Sequence, residues 1–197
     1  MTDSAFQPGP TPAAVFLNHL YFVAVLFVIA GILTTAMVLQ YAGGELPCPL
    51  CLLERVALLG ICFGIIANVR TGFSHRNTGI SLLFTIFLLI VASRQTLLDI
   101  YPRPGHEYIG SAVLGLHMPV WSVVIALCIL TAYALKMTVL GGERELTEIR
   151  IEAFPALAKV AGILSVYLVI LALTNTVSVF VQCGLNECHT FSYQMLQ

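Results

Sequence analysis

The stretch PCPLCLLER, from Pro47 to Arg55, combines two cysteines three positions apart with an arginine four positions after the second. A long apolar run follows, which predicts that the stretch begins a helix crossing a membrane. The free N–H groups and the dipole at a helix start favour anions, so they stabilise a thiolate. Cys51 and Arg55 share one helix face at this spacing, and the permanent cation favours the Cys51 thiolate further.

A thiolate beside a cation at a membrane boundary is suited to moving electrons from sulfur to a lipid-soluble acceptor. Within a bilayer, the natural diffusible two-electron acceptor is a quinone. These residues therefore predict a redox site at the membrane surface, with Cys48 and Cys51 as the sulfur pair and Arg55 on the acceptor side.

A second cysteine pair, Cys183 and Cys188, follows the last apolar run in VQCGLNECHTF. Four predicted crossings separate it from Cys48 and Cys51, so both pairs are expected on the same side of the membrane. A disulfide that closes so short a loop adds little stability, and short exposed disulfides tend to be labile. The residues 182–197 are therefore predicted to be a redox-active tail.

Other interpretations of these residues stay open. Either pair can be a structural disulfide, and Arg55 can be a side chain that snorkels from a helix end. Four cysteines together with His189 can also hold a metal ion, which would make the chain a metal-binding or scaffold protein. The same residues can also carry electrons in the reverse direction, to export reductant. Cys62 and Cys128 fall in mid-span and are predicted to be buried structural filler.

The composition indicates an integral membrane protein. Of 197 residues, 58% are hydrophobic and 10% are charged, and the mean hydropathy is +0.93. Soluble domains carry about 25% charged residues. The net charge of −1 and the absence of a basic patch exclude a nucleic-acid partner.

Five apolar stretches are long enough to cross a bilayer, which takes about 20 residues. They cover approximately 16–39, 52–69, 79–98, 114–135 and 157–181. Short loops join them, so residues 1–197 are predicted to form a single all-α membrane domain, a polytopic helix bundle. The segment ERELTEIRIEAF before the fifth stretch is predicted to be a short helix on the membrane surface.

The distribution of Lys and Arg predicts the orientation, because short cytoplasmic loops are rich in both. One side has six of them and the other has three. The six are Arg70, Arg76, Lys136, Arg144, Arg150 and Lys159, and the three are Arg55, Arg94 and Arg103. The N-terminus is therefore predicted in the cytoplasm, and the C-terminus and both cysteine pairs on the outer side, where disulfides persist.

The motif CPLCLLER resembles the first redox motif of the DsbB family of membrane thiol–quinone oxidoreductases. LLDIYPRP resembles the start of that family's second periplasmic loop, and LGLHMPVW resembles the entry to its fourth span. The likeness covers approximately residues 16–140. It implies a four-helix core, here followed by a fifth transmembrane helix, in the inner membrane of a bacterium. It also implies a ubiquinone or menaquinone near the second helix, and a periplasmic DsbA-like thioredoxin-fold partner that the protein reoxidises.

By position, Cys48 and Cys51 match the family's quinone-proximal pair. The resemblance implies a charge-transfer contact between Cys51 and the quinone, and it makes Arg55 the quinone-side arginine. Where some members have a histidine, this chain has Gln95, and the resemblance assigns no quinone role to Gln95 or to Arg94.

The second outer loop departs from the family, because it contains no cysteine. We expect Cys183 and Cys188 to replace the missing pair. The predicted activity is that of a protein-disulfide:quinone oxidoreductase, in which the tail pair takes electrons from the partner and passes them through Cys48 and Cys51 to the quinone.

Overall fold

The computed structural model describes residues 12–101, 115–140 and 150–184. Most of these residues belong to five long α-helices: α1 Pro12–Tyr41, α2 Pro49–Thr71, α3 His75–Ile100, α4 Met118–Leu140 and α5 Pro155–Cys183. Each helix is long and apolar enough to cross a membrane. The prediction of an all-α bundle with five membrane-spanning helices is therefore confirmed.

Helix α2 is the most enclosed of the five. It packs along α3, which packs in turn against α4, while α1 lies beside α2, and α5 packs against both α1 and α2. Apolar side chains such as Leu26, Ile61 and Leu168 fill the interior. Large apolar side chains such as Phe63 and Ile163 also cover the outer faces of the helices. This outer surface is suited to contact with lipid.

Gly64 allows α2 and α3 to approach closely. A Cβ atom at this position would lie 2.6 Å from the carbonyl oxygen of Asn77 and 2.8 Å from the amide nitrogen of Ser81. At the same contact, the Ser81 hydroxyl donates a hydrogen bond of 3.1 Å to the carbonyl oxygen of Ile61. Small residues commonly allow such close contacts between membrane helices. The contact fixes α3 against the helix that begins at the two cysteines.

Gly64→Ala is expected to destabilise the fold by about 1–3 kcal/mol, because the added methyl group must displace backbone atoms of α3. Gly79→Ala on α3 is the matched control, since a Cβ there meets nothing within 4 Å. Alanine has the higher helix propensity at both positions, so propensity cannot account for a difference. Thermal unfolding of the two variants in detergent measures the effect, and equal melting temperatures would contradict the close approach.

The connection from α4 to α5 is described only from Arg150 onward, and most of the predicted surface helix lies outside the described residues. Within the described part, Ile151–Ala153 form a 3-10 helix, and the Ile151 side chain is buried. The ring of Phe154 packs edge-on against Phe16 of α1, with 5.3 Å between the ring centroids. Pro155 then begins α5 at the position where a missing N–H is tolerated.

Candidate functional site

Cys48 and Cys51 are joined in a disulfide at the start of α2, with their Cα atoms 5.1 Å apart. Cys48 is the N-cap of the helix, and its sulfur accepts a hydrogen bond of 3.0 Å from the Cys51 amide. Pro49 occupies the first helical position, where its fixed φ is already helical. Local sequence alone therefore places both sulfurs at the positive end of the helix dipole.

Gln95 of α3 contacts both sulfurs, and the sequence does not predict this contact. Its side-chain Nε2 lies 3.4 Å from Cys48 Sγ and 3.4 Å from Cys51 Sγ, and the side chain is buried. The signal for this contact is one face of α3, where the residues at every third or fourth position are buried. That face consists of Thr78, Ser81, Thr85, Leu88, Ala92 and Gln95. Polar residues on such a face of an apolar helix indicate contact with another helix rather than with lipid.

A cavity of about 560 Å³ lies between α1, α2 and α4. Cys51, Glu54 and Arg55 of α2 contribute polar groups to its wall, and most of its remaining lining is apolar. Phe27 and Val28 of α1 also line it, and their side chains are exposed on the outer face of the bundle. The cavity therefore borders the lipid-facing surface and brings one cysteine sulfur to its wall.

Arg55 is held inside the bundle rather than at its surface, with 8% of the residue exposed. Its Nη1 donates a hydrogen bond of 2.6 Å to Gln40 Oε1, and its Nη2 donates one of 3.1 Å to the carbonyl oxygen of Ala36. The alternative interpretation, that Arg55 snorkels from a helix end, is therefore wrong. The helical spacing correctly places Cys51 and Arg55 on one face, since both line the same cavity.

Glu54 brings a carboxyl group to the cavity wall. Its Oε2 accepts a hydrogen bond of 2.7 Å from the Ser122 hydroxyl of α4. Its Oε1 is buried and has no hydrogen-bond partner among the described residues. Neighbouring positions of α2 thus direct an arginine toward α1 and a carboxyl group toward α4, and a bound molecule between them would meet both donors and acceptors.

The C-terminal end of α5 lies at the same end of the bundle as Cys48. Gln182 is completely buried, and its Nε2 donates a hydrogen bond of 2.9 Å to the carbonyl oxygen of Pro47. Cys183 follows and is itself disulfide-bonded and buried. Gly184 ends the helix with a φ of 59°, a conformation that favours glycine. Cys188 lies outside the described residues.

The two remaining cysteines have different surroundings. Cys62 is buried in the core, as predicted. Cys128 is exposed on the outer face of α4, so the prediction that it is buried filler is wrong. A thiol is compatible with either surrounding, because lipid and the bundle interior are both apolar.

The metal-binding alternative receives no support from the described part of the chain. Cys48, Cys51 and Cys183 are engaged in disulfides, so they are not thiolate ligands. In residues 12–101, 115–140 and 150–184, no group of three or more His, Cys, Asp or Glu side chains could hold a metal ion.

The chain is similar to known disulfide bond formation proteins. A family model, "Disulfide bond formation protein DsbB", matches residues 18–107. The chain is 37% identical over 89 residues to the disulfide bond formation protein B of Nitrosomonas eutropha, which covers 43% of this chain and 55% of that protein. It is 29% identical over 136 residues to the Cupriavidus necator protein of the same name, covering 54% of this chain and 84% of that protein.

The chain spans about half the length of the Nitrosomonas relatives that it matches. No solved structure gives a significant match. The family match includes Cys48, Cys51, Arg55 and Gln95, and it ends before α4 and α5. Residues 18–107 are therefore similar to the family of the disulfide bond formation protein DsbB.

Proposed function

We propose that this chain is a membrane thiol–disulfide oxidoreductase that generates disulfides and passes the electrons to a quinone. The proposal depends on one observation above all. A disulfide at the start of α2 contributes Cys51 to the wall of a cavity that borders lipid, and Arg55 lies in the same wall. The names of the relatives, which refer to disulfide bond formation, support the same activity.

The cavity fits a quinone head group in size and chemistry. Small-molecule sites are typically about 300–1,000 Å³, mostly apolar, with a few placed polar groups, and this cavity of about 560 Å³ has that character. Arg55 would donate a hydrogen bond to a quinone carbonyl oxygen, and the lipid-bordering side near Phe27 would admit an isoprenoid tail. Ubiquinone and menaquinone share these features. When bound, the quinone supplies an acceptor for two electrons and two protons.

The protein's own residues would prepare the sulfurs for exchange. The start of α2 and the Gln95 amide both present N–H groups to Cys48 and Cys51. Hydrogen bonds to a sulfur favour its thiolate, which is the nucleophile and the electron donor. Arg55 adds a full positive charge on the cavity side, which would favour charge on Cys51 over charge on Cys48.

The proposed electron source is a periplasmic thioredoxin-fold dithiol protein of the DsbA kind. Its thiolate would attack a disulfide formed by Cys183 and Cys188, and exchange would then reduce the Cys48–Cys51 disulfide. This direction requires the Cys48–Cys51 pair to have the higher reduction potential of the two. Potentials in the opposite order would support the export of reductant instead.

The proposed orientation places the N-terminus in the cytoplasm and both cysteine pairs in the periplasm of a bacterial inner membrane. After reduction, a membrane-impermeant thiol reagent added from outside is expected to label Cys188, whereas the buried Cys183 should react slowly. Cys62 and Cys128 are expected to stay unlabelled, because one is in the core and the other faces lipid. Labelling of the tail pair only from the cytoplasmic side would contradict this orientation.

The function is tested directly with purified protein, a short-chain quinone and a reduced thioredoxin-fold protein. The loss of quinone absorbance is expected to match the disulfides formed in the partner, one quinone per disulfide. A protein that binds metal and leaves the quinone oxidised would overturn the proposal in favour of the metal-binding alternative.

A further inference from the structure

The fifth helix lies outside the family match, but it contacts a residue of α1 that lies inside that match. Gln40 Nε2 donates a hydrogen bond of 2.7 Å to the Ser178 hydroxyl oxygen of α5. At the other end of the same amide, Gln40 Oε1 accepts the hydrogen bond of 2.6 Å from Arg55 Nη1. One side chain of α1 therefore joins α5 to the arginine in the cavity wall.

We propose that Ser178 is a positioning residue for quinone binding: it fixes the amide of Gln40, and that amide holds the Arg55 guanidinium at the cavity wall. The inference rests on the proposed function, because it concerns how the same cavity binds a quinone. It gives α5 a role in quinone affinity that is separate from any cysteine chemistry.

The two ends of the Gln40 amide explain why Ser178 matters. A guanidinium has only donors, so Gln40 must present its accepting atom, Oε1, to Arg55. This orientation directs the donating atom, Nε2, away from Arg55, in a side chain that is 2% exposed. Loss of an acceptor at a buried donor is costly. Ser178, itself 3% exposed, supplies an acceptor there and so favours the orientation that suits Arg55.

The position of the guanidinium depends on two contacts with α1. Nη1 bonds to Gln40, and Nη2 bonds to the carbonyl oxygen of Ala36. A guanidinium is planar, so contacts through two nitrogens fix its plane as well as its position. The Ala36 carbonyl belongs to the helix backbone, whereas the Gln40 amide can rotate. Gln40 and Ser178 are buried and are not among the described residues that line the cavity, so their effect on a quinone would pass through Arg55.

Two other polar contacts hold α5 in place beside these residues. The hydroxyl groups of Thr34 on α1 and Tyr167 on α5 lie 2.7 Å apart. One helical turn after Ser178, Gln182 Nε2 donates its hydrogen bond of 2.9 Å to the carbonyl oxygen of Pro47. Removal of the Ser178 hydroxyl alone therefore leaves both contacts, and we expect α5 to stay docked in such a variant.

Quinone affinity can be measured without turnover through Trp121, the chain's only tryptophan, which lines the cavity. Quenching of its fluorescence by a short-chain ubiquinone, added to the oxidised protein in detergent, gives the Kd. Ser178→Ala is expected to raise this Kd by about threefold to tenfold, the effect of one lost hydrogen bond between neutral groups. Ser178→Thr keeps the hydroxyl and should bind like the wild type. An unchanged Kd in Ser178→Ala would overturn the inference.

Ser165→Ala is the matched control on the same helix. The Ser165 hydroxyl is also buried, but it donates to the carbonyl oxygen of Ala161 in its own helix. This variant should bind the ubiquinone with the wild-type Kd, and melting temperatures in detergent report on the packing of both alanine variants.

A double-mutant cycle separates positioning from a general loss of packing. In an Arg55→Met background, the further change Ser178→Ala should leave the Kd where Arg55→Met alone puts it, because the group through which Ser178 acts is gone. A further rise of the same size as in the wild-type background would show that Ser178 acts independently of Arg55, and would overturn the inference.

Turnover with a small dithiol distinguishes this inference from the proposed function. In Ser178→Ala the KM for quinone should rise with the Kd, while the kcat at saturating quinone stays near that of the wild type. If quinone neither quenches Trp121 nor is reduced in the wild type, the proposed function fails. If the wild type binds and reduces quinone, and Ser178→Ala has the same Kd and KM, only the role of Ser178 fails.

Discussion

The combined substitution Cys183→Ser and Cys188→Ser is expected to reduce oxidation of a protein partner to background. A small dithiol should still reduce quinone in this variant through Cys48–Cys51. The expected loss is large because the other cysteines are poorly placed for a folded partner. Cys62 is in the core, Cys128 faces lipid, Cys48 is 6% exposed, and Cys51 lies on the wall of the cavity. Quinone absorbance, followed with each electron donor in turn, measures both rates.

Cys62→Ala combined with Cys128→Ala is the matched control, since it removes two cysteines and should leave both rates unchanged. One of the two single variants, Cys183→Ser or Cys188→Ser, is expected to trap a mixed disulfide when its remaining thiolate attacks the disulfide of an oxidised partner, and mass spectrometry identifies the product. If the variant that lacks Cys183 and Cys188 oxidised the partner at the wild-type rate, the disulfide of the tail pair would have only a structural role. The partner would then have to engage Cys48–Cys51 directly.

The parts of this site that sequence predicts are those set by local chemistry. Five apolar runs of sufficient length define the helices, because a spanning segment must satisfy its backbone internally. The start of α2 is equally local: Cys48 caps the helix and Pro49 opens it, so the disulfide lies at the helix end. The helical period of 3.6 residues was enough to place Cys51 and Arg55 on one face.

The parts that sequence does not predict depend on which helices are neighbours. Gln95 meets the two sulfurs from α3, Gln40 meets Arg55 from α1, and Gln182 meets Pro47 from 135 positions away along the chain. In a soluble protein, the apolar face of each helix indicates where it packs. In a membrane helix both faces are apolar, so that signal is weak. The error at Cys128 has the same cause, because hydrophobicity does not distinguish a core position from one that faces lipid.

Polar residues within the spans are the sequence signal that remains. Gln40, Gln95, Ser178 and Gln182 each interrupt an apolar run, and each is buried and hydrogen-bonded in the bundle. A polar group that faced hydrocarbon would lose its hydrogen bonds. Such residues therefore mark the faces where helices meet, although the sequence does not say which partner each one meets.

Arg55→Met is expected to raise the KM for quinone by about 10- to 100-fold, because a hydrogen bond from a charged group is worth about 1.5–3 kcal/mol. The kcat at saturating quinone should fall less, provided that the head group still reaches Cys51. Arg55→Lys should retain part of the affinity. The guanidinium contacts Gln40 and Ala36 through two different nitrogens, whereas a lysine has one.

The same substitution also removes the donor that Gln40 and Ala36 share, so a loss of stability must be separated from a loss of quinone affinity. Gln40→Leu removes the acceptor of the hydrogen bond from Arg55, so that bond is lost while the arginine stays on the cavity wall. Melting temperatures in detergent report on packing in both variants, while quinone titration reports on the cavity. A higher KM in Arg55→Met than in Gln40→Leu, at similar melting temperatures, is the expected result. If Arg55→Met turned over quinone with an unchanged KM and only its melting temperature fell, Arg55 would serve to hold α1 against α2, and the quinone would have to be bound by other groups.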